Sequence, residues 1–270
     1  MSYGIFSSVY DILTENVEYE KIANKICSLL SQNGIDGGLL LDLGCGTGTL
    51  SFLLENEGFD VIGVDASEDM LMVANEKKYE ENSNTMFLCQ KAEDLDLFGT
   101  IDCAVSVLDT INHIDTLEKV KKSIEKVSLF MNMGGVFIFD MNTPYKHEKI
   151  LSNNTFIYDM DEVYCAWQNS YNKENATTTI DLDFFIKNED DECYERYSES
   201  FCEYAYEPHK IFKILETCGF EILNTYDDYS DNPVNAETQR ITIVAKKIKT
   251  IFKDELKKLL AESLETLTDR

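Results

Sequence analysis

Residues Asp42-Leu43-Gly44-Cys45-Gly46-Thr47-Gly48 set three glycines at alternate positions behind an acidic residue, between an apolar run and the start of a helical pattern. Glycines so spaced let the backbone turn sharply and come close to a ligand. The helix that follows offers its dipole and free N–H groups, so the loop is expected to receive an anionic group on bare amides. Asp65 stands 23 residues after Asp42 at the end of the next apolar run, where a carboxylate can accept two hydrogen bonds from ribose hydroxyls. An N-terminal helix cap is its plainer alternative. His113, one of three histidines, follows a further apolar run in Leu108-Asp109-Thr110-Ile111-Asn112-His113-Ile114. An imidazole that titrates near 6.5 suits removal of a proton from an incoming ammonium or hydroxyl. A packed or capping histidine is the alternative.

The elements around these residues follow from periodicity. Tyr19, Ile22, Ile26, Leu29 and Leu30 keep helical spacing, and Asn33-Gly34 can close that helix in a left-handed conformation. Leu39 to Leu43 reads as a strand buried on both faces. Helix and strand then alternate: a helix over 49–57, a strand over 59–64, a helix capped by Ser67, strands over 85–89 and 101–108, and a helix between Asp115 and Asn132. Gly134-Gly135 is expected to turn the chain into a strand over 136–141. This alternation predicts an α/β fold with a mostly parallel sheet covered by helices on both faces, binding its ligand at the carboxyl ends of the strands. From Asn153 to Tyr206 the pattern changes to β alternation, read as an antiparallel insertion that forms a lid. A helix over 209–218 and strands over 221–226 and 240–245 return to the sheet, and Phe252, Leu256, Leu259, Leu260, Ser263 and Leu267 trace an amphipathic C-terminal helix. The expected organisation is therefore N-terminal cap helices over 1–38, a core over 39–152, the insertion over 153–207, the end of the sheet over 208–248, and the last helix over 249–270. That helix could dock on its own chain or pair two subunits.

The 270 residues carry 24 Lys plus Arg against 50 Asp plus Glu, a formal charge of −26. Such a surface repels phosphate backbones and anionic lipid, which argues against nucleic acid and membranes as partners. No signal peptide or apolar span is legible, so the expected compartment is the cytoplasm. Eight cysteines without C-x-x-C spacing read as reduced thiols, with no metal site. The insertion holds 14 acidic and 3 basic residues between Asn153 and Glu207, which points to an amine-bearing or cationic small molecule concentrated by local negative potential. A merely solvated acidic surface is the alternative.

Taken together, Leu40 to Leu50 and Val64 to Leu71 (VDASEDML) resemble the cofactor-binding segments of class I S-adenosylmethionine-dependent methyltransferases. The likeness runs across about residues 39 to 246. It implies a Rossmann-like seven-stranded sheet, with Asp42, Gly44, Cys45, Gly46 and Thr47 around the methionine moiety, Asp65 on the ribose, and Ala66 and Met70 flanking the adenine. The family's third cofactor segment resembles Cys89-Gln90-Lys91-Ala92-Glu93, where Lys91 stands in the usual acidic place; Ala92 fits, and Gln90 or Glu93 is expected to supply the adenine contact. Leu108, Asp109 and His113 resemble the stretch that borders the methyl group in small bacterial members acting on nucleotide-linked aminosugars. Tyr10 resembles the N-terminal tyrosine that folds over the cofactor in those proteins. Phe201 and Tyr204 stand where those relatives usually carry His and Arg, which points to a different substrate.

The resemblance implies methyl transfer to a small molecule, with His113 and Tyr10 facing the reaction. A nicotinamide-dependent oxidoreductase is the competing reading, but G-x-G-x-x-G would need glycine at position 49, which is Thr49. A non-catalytic protein that binds S-adenosylmethionine is a third.

Overall fold

The computed structural model describes residues 4–188 and 193–250. The amphipathic helix expected over 249–270, and the subunit contact suggested for it, lie almost wholly outside these residues. Two helices open the chain, α1 (Gly4–Leu13) and α2 (Tyr19–Ser31). The core then runs β1 (Gly38–Leu43), α3 (Thr49–Asn56), β2 (Phe59–Asp65), α4 (Glu68–Glu81), β3 (Met86–Cys89), β4 (Ile101–Ser106), α5 (Leu117–Phe130) and β5 (Met131–Asn142). Four antiparallel strands follow, β6 (Thr155–Asp159), β7 (Val163–Asn172), β8 (Thr177–Lys187) and β9 (Tyr194–Tyr204). They form a separate sheet before α6 (Pro208–Thr217), β10 (Phe220–Asp227) and β11 (Arg240–Lys247) complete the first one.

The seven-stranded sheet has the order β10-β11-β5-β4-β1-β2-β3, and β11 alone runs against both its neighbours. Alternation along each strand sends side chains to opposite faces. Leu41, Leu43, Phe137 and Phe139 pack with Val120 and Ile124 of α5 and Ile211 and Leu215 of α6. Leu40, Val136 and Ile138 pack on the other face with Ile22, Ile26 and Leu30 of α2 and Leu50 and Leu54 of α3. A third apolar cluster joins α1 to the four-stranded sheet: Val9 meets Val163, Ile180, Leu182 and Phe184, with Phe6, Trp167 and Phe201 alongside. The N-terminal helix thus bridges the second sheet and the mouth of the first.

Ser67 caps α4 as expected, accepting from the Met70 N–H at 3.2 Å. Gly134-Gly135, by contrast, makes no turn between elements. Strand β5 begins at Met131 directly after α5, and the register on β4 jumps from Ile101↔Met131 to Cys103↔Val136, so the glycine pair sits inside an irregular stretch of the strand. Strand β4 stops at Ser106, short of the expected 108, because the next residues leave the extended region: Leu108 and Asp109 both have positive φ. Among the described residues, no helix is long and apolar enough to cross a membrane.

Candidate active site

At the carboxyl ends of β1, β2 and β4 lies a cavity of about 860 Å³, lined also by residues of α1 and β9. The size suits a small ligand, for which pockets of roughly 300–1,000 Å³ are usual. Every site residue expected from the sequence lines it, including Asp42, Gly44, Cys45, Gly46 and Thr47 from the glycine loop and Asp65, Ala66 and Met70 from the β2–α4 junction. Gln90, Lys91 and Ala92 after β3, Leu108, Asp109 and His113 after β4, and Tyr10 from α1 complete the set.

The loop works differently from the expectation that its bare amides receive an anion. The Gly44 and Cys45 N–H groups both donate to the Val64 carbonyl, at 2.7 and 3.1 Å, and the Gly48 N–H donates to the Cys45 carbonyl at 2.9 Å. The Gly46 N–H donates to Asp65 Oδ2 at 2.9 Å. Three of these donors tie the loop to the end of β2, and the fourth, from Gly48, closes the loop on itself. What the glycines supply is room. At Gly44, φ +80°, a side chain would collide with Thr110. At Gly46, φ +53°, nothing lies within 4 Å of where a Cβ would sit, so the bare backbone faces a space that a ligand can fill.

Asp65 is held by two amides, Gly46 on Oδ2 and Ser67 on Oδ1 at 2.8 Å. Since Ser67 is the cap of α4, Asp65 is left as a fixed carboxylate with acceptor capacity to spare on both oxygens. Burial pushes its pKa up, and the two amides oppose that shift. Asp42 is deeper. Its Oδ2 accepts from Ser51 at 2.6 Å, whereas Oδ1 is buried without a partner, and burial pushes the carboxyl up to about 7. An orphaned acceptor beside the cavity is the complement of an ammonium.

Thr47 faces α1. Its hydroxyl donates to Asp11 Oδ1 at 2.6 Å, and Lys77 reaches from α4 to Asp11 Oδ2 at 2.8 Å and Thr49 at 2.7 Å. This network latches α1 over the loop and so places Tyr10 at the cavity. Cys45 packs with Leu71, Ala74 and Phe87. Gln90 does not present a free amide to an adenine. Its Nε2 donates to the Asp96 carbonyl at 3.1 Å and its Oε1 accepts from the Asp96 N–H at 2.8 Å, bracing the turn that carries Lys91, Ala92 and Glu93.

The wall of the cavity around His113 is richer in charge than the sequence disclosed. His113 Nε2 lies 3.8 Å from Asp109 Oδ2, and Asp109 Oδ1 accepts from Arg240 at 2.8 Å. Burial lowers the His113 pKa, with Asp109 and Asp65 pulling it back. Glu203 enters from β9, accepts from Asn142 Nδ2 at 3.1 Å, and is pushed up to about 8, first by burial and then by Asp109. Lys146 donates to Asn142 Oδ1 at 2.8 Å. Asp109, His113 and Glu203 bring their polar atoms within 4.8 Å of one another, the spacing of a metal-ligand set, but Arg240 and Lys146 already supply cations there. Phe201 packs between Phe6 and His113, with centroids at 6.2 and 5.4 Å, and Tyr204 and Trp167 continue the aromatic wall. The guanidinium that lines the cavity is Arg240 of β11, whereas Arg196 of β9 lies outside it and bonds Asp183. Arg240, Lys146 and Glu203 are functional candidates that the sequence reading missed. A signal existed for one of them: Arg240, one of three arginines, opens the apolar run Ile241 to Ala245.

A sheet of this order with its ligand groups at the strand ends, a glycine loop after β1 and a carboxylate closing β2 defines a nucleotide-cofactor enzyme of the Rossmann-like class. Residues 40–135 match a family model described as a methyltransferase domain. The crystal structure of a S-adenosylmethionine-dependent methyltransferase from Clostridium acetobutylicum ATCC 824 superposes with a TM-score of 0.83 at 33% identity, covering 90% of this chain and 98% of that one. The chain belongs to the S-adenosylmethionine-dependent methyltransferases, and S-adenosylmethionine is its cofactor. It is also 29% identical over 252 residues to the Bacillus subtilis (strain 168) protein named "Putative methyltransferase YqeM", covering 93% of this chain and 99% of that protein. CalS10, an amino pentose methyltransferase from Micromonospora echinaspora, shares the fold with a TM-score of 0.71 at 15% identity, over 92% of this chain and 98% of its own. The residues present fit the cofactor: open backbone at Gly46, a fixed carboxylate at Asp65 and an unpartnered acceptor at Asp42.

Proposed function

We propose that this methyltransferase works in the cytoplasm on an enclosed small molecule bearing an amine, held between His113 and the inner face of β9. The observation that carries the reading is the convergence of Asp109, Glu203 and the partly buried His113 on the cavity, under an aromatic wall. Bound, the cofactor supplies a methyl group already activated by its sulfonium. The residues of this chain then orient the acceptor and handle its proton. Asp65 would hold the ribose, Gly44 and Gly46 would admit the methionine moiety, and Ala66 and Met70 would flank the adenine. Asp42 would accept from the cofactor's ammonium, while Leu108 and Tyr10 would border its methyl group. On the acceptor side, the ionised Asp109 attracts the ammonium, Glu203 being largely protonated at neutral pH, and His113, neutral because of its burial, takes one proton. Loss of that proton leaves the acceptor nitrogen with a free lone pair, the form that could take up a methyl group from a bound cofactor. Orientation contributes more than proton removal, about 7 to 11 kcal/mol in favourable cases against a factor of about 10² to 10⁴ for a general base.

The test offers labelled S-adenosylmethionine with a panel of primary amines and their matched alcohols across a salt series. Amines take the label, less so as salt rises, and His113→Ala slows transfer roughly 10²-fold or more while cofactor affinity stays within about twofold. Equal, salt-independent methylation of amines and alcohols would remove the amine assignment.

Asp42 gives the cofactor site a pH dependence. A carboxyl that titrates near 7 is mostly protonated at pH 6 and mostly ionised at pH 8. If the ionised form binds the ammonium, the Kd for S-adenosylmethionine is about fivefold weaker at pH 6 than at pH 7 by proton linkage, and the gain levels off by pH 8 as an α-ammonium begins to lose its own proton. Calorimetry at the three values checks this, and Asp42→Asn is expected to bind more weakly with the slope gone.

A further inference from the structure

Two consecutive residues after β4 adopt a backbone that side chains avoid. Leu108 has φ +52° and Asp109 φ +59°. Left-handed conformation is tolerated by aspartate and is a genuine outlier for a bulky residue such as leucine. Backbone of this kind persists only where its surroundings hold it, and such positions cluster at functional sites. Here the holder is one side chain. Asp140, fully buried near the end of β5, accepts from the Leu108 N–H on Oδ2 and from the Asp109 N–H on Oδ1, both at 2.7 Å. Both oxygens are therefore fixed by adjacent amides.

The grip is reinforced from two further strands of chain. The Tyr229 hydroxyl donates to Asp140 Oδ2. Arg240 lies 3.9 Å from Asp140 Oδ1 while it bonds Asp109 Oδ1 at 2.8 Å, so it joins both carboxylates. Downstream, the Asp109 carbonyl accepts from the Asn112 N–H at 2.7 Å, and the short helical turn Thr110–His113 starts from there. Asn112 is locked in turn: its Nδ2 donates to the carbonyls of Asn142 at 3.1 Å and Tyr204 at 2.9 Å. The place of His113 thus follows from the conformation at 108 and 109.

We infer that Asp140 is a positioning residue, whose clamp on the adjacent amides of Leu108 and Asp109 maintains the strained turn that presents Asp109 and His113 to the cavity. It touches neither ligand and acts through the backbone. A residue serving stability alone would lower the melting temperature without changing where His113 sits in the folded protein. The inference rests on the reading of His113 as facing the acceptor only for its catalytic meaning; the placement itself is measured without any acceptor.

The experiment follows the imidazole resonances of the full-length protein by NMR as pH is varied. The protein has three histidines, His113, His147 and His209, and His113→Gln identifies the signal wanted. In the unaltered chain His113 titrates below the ordinary value of about 6.5. In Asp140→Asn an amide nitrogen must face one of the two N–H groups, so the turn relaxes and the His113 titration moves upward toward 6.5. Adding Leu108→Gly, which accepts positive φ without a holder, returns it toward the starting value. A folded Asp140→Asn protein whose His113 titration is unmoved, or a movement that Leu108→Gly fails to reverse, overturns the proposal. Where Asp140→Asn does not fold, Tyr229→Phe decides: an upward movement supports the clamp, and an unmoved signal overturns it. Loss of methyl transfer in His113→Ala is a separate measurement, so failure of the functional reading and failure of the clamp can be told apart.

Discussion

Asp65→Ala is expected to weaken S-adenosylmethionine binding by at least about 100-fold with the fold retained. Hydrogen bonds to a charged group contribute about 1.5–3 kcal/mol each, and the proposed role gives this carboxylate two of them, from the ribose hydroxyls. Even the lower end of that sum exceeds the 2.7 kcal/mol or so that a factor of 100 requires. The substitution also releases the amides of Gly46 and Ser67, so the loop loses its anchor on β2 at the point where the ligand must lie. Asp65→Asn should fall between, since one oxygen remains as acceptor. Calorimetry with the cofactor, beside a melting curve of the apoprotein, separates lost affinity from lost structure. A Kd within threefold of the unaltered protein would remove Asp65 from the cofactor site.

The largest effect on stability is expected at Arg240→Met. This guanidinium stands between Asp109 and Asp140, and their charges hold its proton still more firmly than usual. Removing one member of a buried pair costs about 3–5 kcal/mol, because the remaining charge keeps its desolvation penalty without a partner. Arg240 keeps some exposure, so the lower figure applies, and for a chain of this size about 3 kcal/mol lowers Tm by roughly 6–12 °C. Arg240→Lys should recover part of the loss, since an ammonium provides the charge without the planar fork that spans two carboxylates. A change in Tm under 2 °C for Arg240→Met would show that the two carboxylates find other compensation.

What could be read from the sequence was local. Leu39 to Leu43, the glycine loop, Asp65 and the Ser67 cap lie within a few residues of the signals that identify them, and the structure puts all the expected site residues on one cavity. The missed groups depend on contacts across the chain. Arg240 meets Asp109 over 131 positions, and Glu203 meets Asn142 over 61, and neither spacing leaves a periodic trace. The role of the loop amides was also hidden, because the acceptors that consume them, the Val64 carbonyl and Asp65, are brought to the loop only by parallel pairing of β1 with β2. Gly134-Gly135 misled for a related reason: glycines mark turns in most contexts, and only the shifted pairing with β4 makes this pair part of a strand. Helix α1 has no acidic residue in its first turn to announce it, and it gains its partners from the second sheet.

The cavity is walled by two hydrogen-bonded sheets that share no strand: the glycine loop and Asp65 belong to one, Phe201, Glu203 and Tyr204 to the other. Exchanges along β9 therefore leave the ladder under the loop untouched. A lineage with this architecture can drift toward new acceptors by mutating one wall while its donor grip is inherited unchanged, which separates chemical novelty from the risk of losing the reaction.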